Sequence, residues 1–127
     1  MIDAPATAAR AMGALAFANG VAGELYFDVD YVYDFADPWV SRIGGAHDVP
    51  VESLRIVQIA RGLADYGYLS LCAQLGDPAL ARAEAQAVAP GLRTWSRDPR
   101  AFARMREHLA ARIEALLADG KLGARLR

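Results

Sequence analysis

The chain of 127 residues holds one cysteine, Cys72, and a single lysine, Lys121, beside 13 arginines. One thiol excludes an internal disulfide. Its position inside an apolar helical pattern marks it as a small buried hydrophobe rather than a reactive group. Excess charge of either sign is also lacking: the net charge is −1 and 54% of residues are hydrophobic, which excludes a charge-extended disordered chain. No apolar run approaches the ~20 residues of a membrane-spanning helix, so no membrane partner is expected. A basic segment followed by an apolar stretch is missing from the N-terminus, so no signal peptide is expected within the chain. A complete chain would then be cytoplasmic, and an exported one would need a signal upstream. Internal repeats are absent, and nothing in the residues calls for a cofactor.

What is present is alanine and arginine: 27 and 13 residues. Both lose little on entering a helix, so the composition favours a mainly helical protein. The length predicts one domain, 1–127, about half an ordinary (β/α)8 barrel. Charge is uneven along it. Residues 23–48 carry six acids against Arg42, and residues 93–127 carry nine basic groups against four acids. The basic tail has no aromatic interleaving beyond Trp95 and its charges fall on one side of an amphipathic helix, which reads as a solvated face and not a nucleic-acid surface.

Five elements follow from local signals. Asp3 before Pro5 predicts a helix cap and first turn, and Asn19-Gly20 a stop, bounding a helix over 5–18. Residues 23–33 alternate, with Leu25, Phe27, Val29, Tyr31 and Tyr33 on one face and Glu24, Tyr26, Asp28 and Asp30 on the other, which predicts a strand. Residues 34–50 are irregular, punctuated by Asp37-Pro38, Gly44-Gly45 and Val49-Pro50. Residues 51–75 form a long helix, apolar on more than one face and so expected to be sandwiched. Asp77-Pro78 and Asp98-Pro99 each open a further helix, the last with a stripe of Phe102, Met105, Leu109, Ile113 and Leu116. A single strand leaves its backbone groups unpaired at both edges. The expected fold is therefore mainly α with one or two strands, four helices around a single clear strand, completed either by an upstream barrel segment or by another copy of the chain.

The runs "GELYFDVDY", "DPW" and "SLRIVQIARGLADYGYLSLCAQLGD" resemble the C-terminal part of the domain of unknown function 4091, a catalytic-domain family related to glycoside hydrolase family 123. The matching positions are Gly23, Leu25, Tyr26, Val29 and Tyr31, then Asp37, Pro38 and Trp39, then Ser53, Arg55, Arg61, Gly62, Asp65, Tyr66, Tyr68 and Leu69. The opening helix and the closing "DPRAFARMREHLAARIEAL" fit the same pattern. The resemblance implies the C-terminal βα end of a (β/α)8 barrel, as a fragment or truncated relative. It also implies β-N-acetylgalactosaminidase-type chemistry for complete enzymes, in which the substrate's own acetamido group attacks. Two departures stand out. "VSRIGGAHDVP" occupies the place of the family's Gly-Asp-Gly strand, and the family's catalytic Asp-Glu pair lies on earlier strands, outside this chain. The implied role is a non-catalytic portion of a carbohydrate-active protein; the alternative is a helical self-association or interaction module.

The residues themselves support no catalytic set. Asp28 and Asp30 would lie about 6–7 Å apart on one face, the repeat of a strand. That spacing suits an inverting pair, yet neighbours on one strand sit on the same side of a ligand and cannot flank a scissile bond. They read as sugar-site or lumen polar groups, together with the aromatic residues Tyr31, Tyr33 and Trp39, whose place after a strand is where barrel enzymes bind substrate. His47-Asp48 with Asp34 and Asp37 has no recognised metal spacing. His108 is expected at the surface. Arg61 and Asp65, at i and i+4, are expected to pair across one helical turn, with Gly62 letting a neighbouring helix come close and with Arg55 and Tyr66 completing a structural motif.

Overall fold

Alanine-rich, weakly polar segments become helices here because each buries one narrow face against another. The computed structural model describes residues 5–21 and 54–119. These form four helices: α1 (Thr7–Ala18), α2 (Leu54–Leu75), α3 (Pro78–Val88) and α4 (Pro99–Ala118). The protein is mainly helical, and among the described residues the only β-type pairing is an isolated bridge between Gly91 and Thr94. The expected strand 23–33 and its loop lie outside the described residues.

Helix ends follow short-range chemistry. At the end of α1 the Val21 N–H donates to the Ala16 carbonyl and the Gly20 N–H to Phe17, a reciprocal closure made possible by Gly20 at φ 65°. The same closure ends α2: Asp77 N–H donates to Cys72 and Gly76 N–H to Ala73, with Gly76 at φ 125°. Asp77 then starts α3 at once, its Oδ1 accepting from the Leu80 N–H at 3.1 Å. Asp98 does the same for α4, accepting from the Arg100 N–H at 2.9 Å. The start of α1 differs from the sequence expectation. Its first helical residue is Thr7, preceded by Ala6 without any side-chain cap, and the Pro5 carbonyl accepts from the Ala8 N–H at 2.8 Å as a preceding turn.

Helix α2 packs against each of the other three and is the centre of the assembly. The core joins Ala11 and Ala14 of α1, Leu69 and Cys72 of α2, Ala81, Ala85 and Val88 of α3, and Phe102, Met105, Leu109 and Ile113 of α4. Its design is asymmetric. The first and third helices contribute alanines, so their backbones come close, while α4 supplies the large side chains. All five stripe residues of α4 are buried, and each large one removed from water contributes about 1.5–3 kcal/mol. Trp95, in the connection between α3 and α4, packs against this core.

Among the described residues one expectation is met only in part. A helix apolar on several faces should be covered on several faces, yet α2 buries only the face holding Gly62, Asp65, Leu69 and Cys72. Leu54 is 66% exposed, Leu63 57% and Leu71 43%. Among the described residues, the contacts of α2 with the other three helices leave these positions exposed.

Candidate functional site

The strongest polar constellation in the described residues is a carboxylate held between two guanidinium groups from different helices. Asp65, fully buried on α2, accepts from both of them. Arg10 of α1 approaches it side-on, Nε to Oδ2 at 2.6 Å and Nη2 to Oδ1 at 3.2 Å. Arg106 of α4 donates to Oδ1 through Nε at 2.9 Å and through Nη2. The Arg106 Nη2 also donates to the Arg61 carbonyl at 3.2 Å. Each guanidinium is stacked on an aromatic ring, Arg10 over Phe102 at 5.0 Å and Arg106 over Tyr68 at 5.5 Å. The planar fork of arginine, which can make two parallel bonds and lie flat on a ring, suits both tasks.

The backbone geometry that allows this is a glycine contact. Gly13 of α1 and Gly62 of α2 cross with no side chain between them. A methyl on Gly13 would lie 2.7 Å from the Gly62 carbonyl carbon, and one on Gly62 would lie 2.6 Å from the Arg10 carbonyl oxygen. Close approach at this point brings Arg10, one turn before Gly13, directly onto Asp65. Further along, Phe17 and Tyr66 meet edge to face, ring centres 6.0 Å apart.

The expected pairing of Arg61 with Asp65 is therefore corrected. Arg61 is exposed, and its backbone carbonyl, not its side chain, enters the cluster. Asp65 faces the core, where α1 and α4 already deliver two guanidinium groups. Gly62 occupies the close helix crossing, Tyr66 the aromatic contact, and Arg55 a half-buried position in the first turn of α2 with no ion pair among the described residues. Of the sequence-selected sugar-site residues, Asp28, Asp30, Tyr31, Tyr33 and Trp39 lie outside the described residues, as do Asp34, Asp37, His47 and Asp48. Arg10, Arg106 and Gly13 were not singled out from sequence. Arg10 carried a signal: it is the sole charged residue of α1, a placement that implies a buried partner. Arg106, one of four arginines in α4, carried none.

Chemically the cluster is a clamp. Four N–H donors converge on the Asp65 carboxylate, three on Oδ1 and one on Oδ2, and so fasten α1 and α4 to α2. Among the described residues no group of three or more His, Cys, Asp or Glu could hold a metal ion.

A second polar group joins α2, α3 and α4. Asp77 Oδ2 accepts from Arg112 Nε at 2.7 Å while its other oxygen caps α3. The cap and, next, the Arg112 bond hold the Asp77 carboxyl below its ordinary range. Cys72 stands against the Asp77 carbonyl at 3.7 Å. Burial, then the Asp77 charge, push its thiol pKa up against the opposing pull of Arg112, which makes it a poor nucleophile. His108 is exposed as expected and pairs with Glu84 at 3.0 Å.

The lowered Asp77 pKa makes a pH prediction. A carboxyl depressed on folding stabilises fully above its unfolded value, here 3.8, and that contribution fades as pH falls from there toward the folded value. Asn can still cap a helix but does not titrate. Asp77→Asn is therefore expected to leave the neutral-pH melt slightly lower and to flatten the acid limb of a Tm–pH profile below about pH 4. An unchanged acid limb in the variant would remove Asp77 from the acid response.

Comparison with family models, with curated proteins and with solved structures finds no match to this chain.

Proposed function

We propose that this chain is the non-catalytic C-terminal portion of a glycoside-hydrolase-like, carbohydrate-active protein, in which the helices act as a rigid support for the acidic and aromatic segment 23–39. The observation that carries the reading is the use made of the resemblance's helical motif. Gly62, Asp65, Tyr66, Tyr68 and Leu69 serve, in order, a helix crossing, the ion cluster, an aromatic contact, a guanidinium stack and the core. A motif occupied in this way is architectural, and chemistry in such a protein must come from elsewhere. Three of the described aspartates fit that division. Asp65 is held by two guanidinium groups, while Asp77 and Asp98 cap helices.

Two measurements test the reading. The isolated chain is expected to give no turnover of an aryl N-acetyl-β-galactosaminide; turnover that Asp28→Asn or Asp30→Asn abolishes would overturn it. In a longer protein carrying this sequence, Trp39→Ala is expected to weaken N-acetylgalactosamine binding more than it lowers Tm. Unchanged affinity with reduced stability would assign Trp39 to packing and remove the sugar contact.

A further inference from the structure

We propose that the outward face of α2 is a docking surface, and that its occupant is residues 22–53 of the same chain. Leu63 and Leu71 stand on this face, 57% and 43% exposed, with the exposed small residues Ala60, Ala64 and Gly67 beside them. These positions recur three or four residues apart, the repeat that places them on one side of a helix. The small residues leave shallow ground on which another stretch of chain can lie close.

Connectivity favours this occupant. The segment follows Val21 at the end of α1 and runs directly into Leu54, the first residue of α2, so both its ends are fixed to described helices. It has 32 residues, which reach about 105 Å when fully extended. A helix of 22 residues is about 33 Å long, so the segment can run the length of α2 and return to its start. A tethered segment also meets the face at an effective concentration on the order of millimolar, above that of a separate molecule in dilute solution. The need is mutual, because Leu25, Phe27, Val29, Tyr31 and Tyr33 alternate along the segment and gain by leaving water.

Charge separates this occupant from a second copy. Residues 22–53 hold seven acids against Arg42, whereas the described residues hold ten arginines against seven acids. On α2, Arg61 is exposed one turn from Ala64, and Arg55 is half-buried one turn from Ile59. Neither has an ion pair among the described residues, and the one acid of the helix, Asp65, is buried. A two-fold contact sets a patch against itself and would bring these arginines toward arginines. The acidic segment brings the opposite sign. The docking rests on the supporting role proposed for the helices but needs no sugar contact, so its failure would leave the turnover and Trp39 measurements to decide that reading on their own.

Photocrosslinking of the full chain in dilute solution, with benzoylphenylalanine placed at Leu63, reads the occupant directly once peptide mass spectrometry locates the adduct. The expected product keeps the mass of one chain, 13.6 kDa, and links α2 to residues 22–53. The same group at Leu71 is expected to give the same link. At Leu92, 73% exposed in the α3–α4 connection, it is expected not to reach the segment. Hydrogen exchange supplies an independent reading: Leu63→Glu is expected to speed amide exchange within residues 22–33 by at least about tenfold, with the helical circular dichroism retained. A product of twice the chain mass would assign the face to a second copy and overturn the proposal. An adduct confined to the four helices would overturn it too, as would exchange within residues 22–33 that neither Leu63→Glu nor Leu71→Glu changes.

Discussion

Asp65→Ala is expected to destabilise the protein by about 3–5 kcal/mol, the cost of leaving buried guanidinium charge without its partner. Against the 5–15 kcal/mol that holds a typical domain together, such a loss lowers Tm by roughly 15 °C or more and leaves the fold marginal. The argument turns on burial. Arg10 is 8% exposed, so without the carboxylate it keeps its desolvation cost and only the Phe102 ring to offset it. Arg106, with a side chain one-third exposed, can turn to water instead. The expected order of loss is therefore Asp65→Ala, then Arg10→Ala, then Arg106→Ala, the last at about 1–2 kcal/mol. Removing all three charges together, as Arg10→Met, Asp65→Leu and Arg106→Leu, is expected to cost less than Asp65→Ala alone, because apolar groups of similar volume need no compensation. Urea unfolding followed by circular dichroism measures each. Equal losses at the three positions, or an Asp65→Ala loss under about 1 kcal/mol, would show that the cluster is not what fastens α1 and α4 to α2.

Gly13→Ala is expected to be nearly as damaging, although alanine is the better helix former by about 1 kcal/mol. That gain opposes a steric clash in which the new methyl meets the Gly62 backbone. A flexible side chain could swing aside, but a carbonyl in a helix cannot, so the two helices must separate. Overpacking of this kind costs about 1–3 kcal/mol, and separation also pulls Arg10 away from Asp65. A net loss of about 3 kcal/mol follows, with Gly62→Ala comparable. Gly67 is the control. It lies on the same helix as Gly62 with open space where its Cβ would stand, and Gly67→Ala is expected to stabilise by about 0.5–1 kcal/mol. If Gly13→Ala also stabilised the protein, the close crossing would be refuted.

These expectations separate what the sequence by itself determined from what folding decided. The starts of α3 and α4 were legible because Asp-Pro acts over two or three residues: the acid caps N–H groups within its own turn and the proline fits the first turn. The Asn19-Gly20 stop was legible for the same reason, since the positive φ it needs is affordable at glycine. The stripe of α4 was legible because a helix repeats every 3.6 residues, so five side chains separated in sequence share one face wherever that helix packs. Asp65 shows where this kind of reading ends. Local spacing favoured Arg61, four residues away, yet the partners are Arg10 and Arg106, 55 and 41 residues distant. The isolation of Arg10 in α1 marks it for a buried partner, but nothing in the order of residues says which carboxylate that is, and Arg106 carries no mark at all among the 13 arginines. The start of α1 and the open face of α2 belong with it: apolar residues say that a face can be buried, while the number and direction of neighbouring helices decide whether it is. Gly62 lies between the two cases, because its missing side chain is visible in the sequence but the helix that uses the space is not. Capping and periodicity are short-range and travel with the segment; ion pairing, helix crossing and coverage depend on which surfaces the whole chain brings within a few ångströms, and those were decided only when α2 took its place among the other helices.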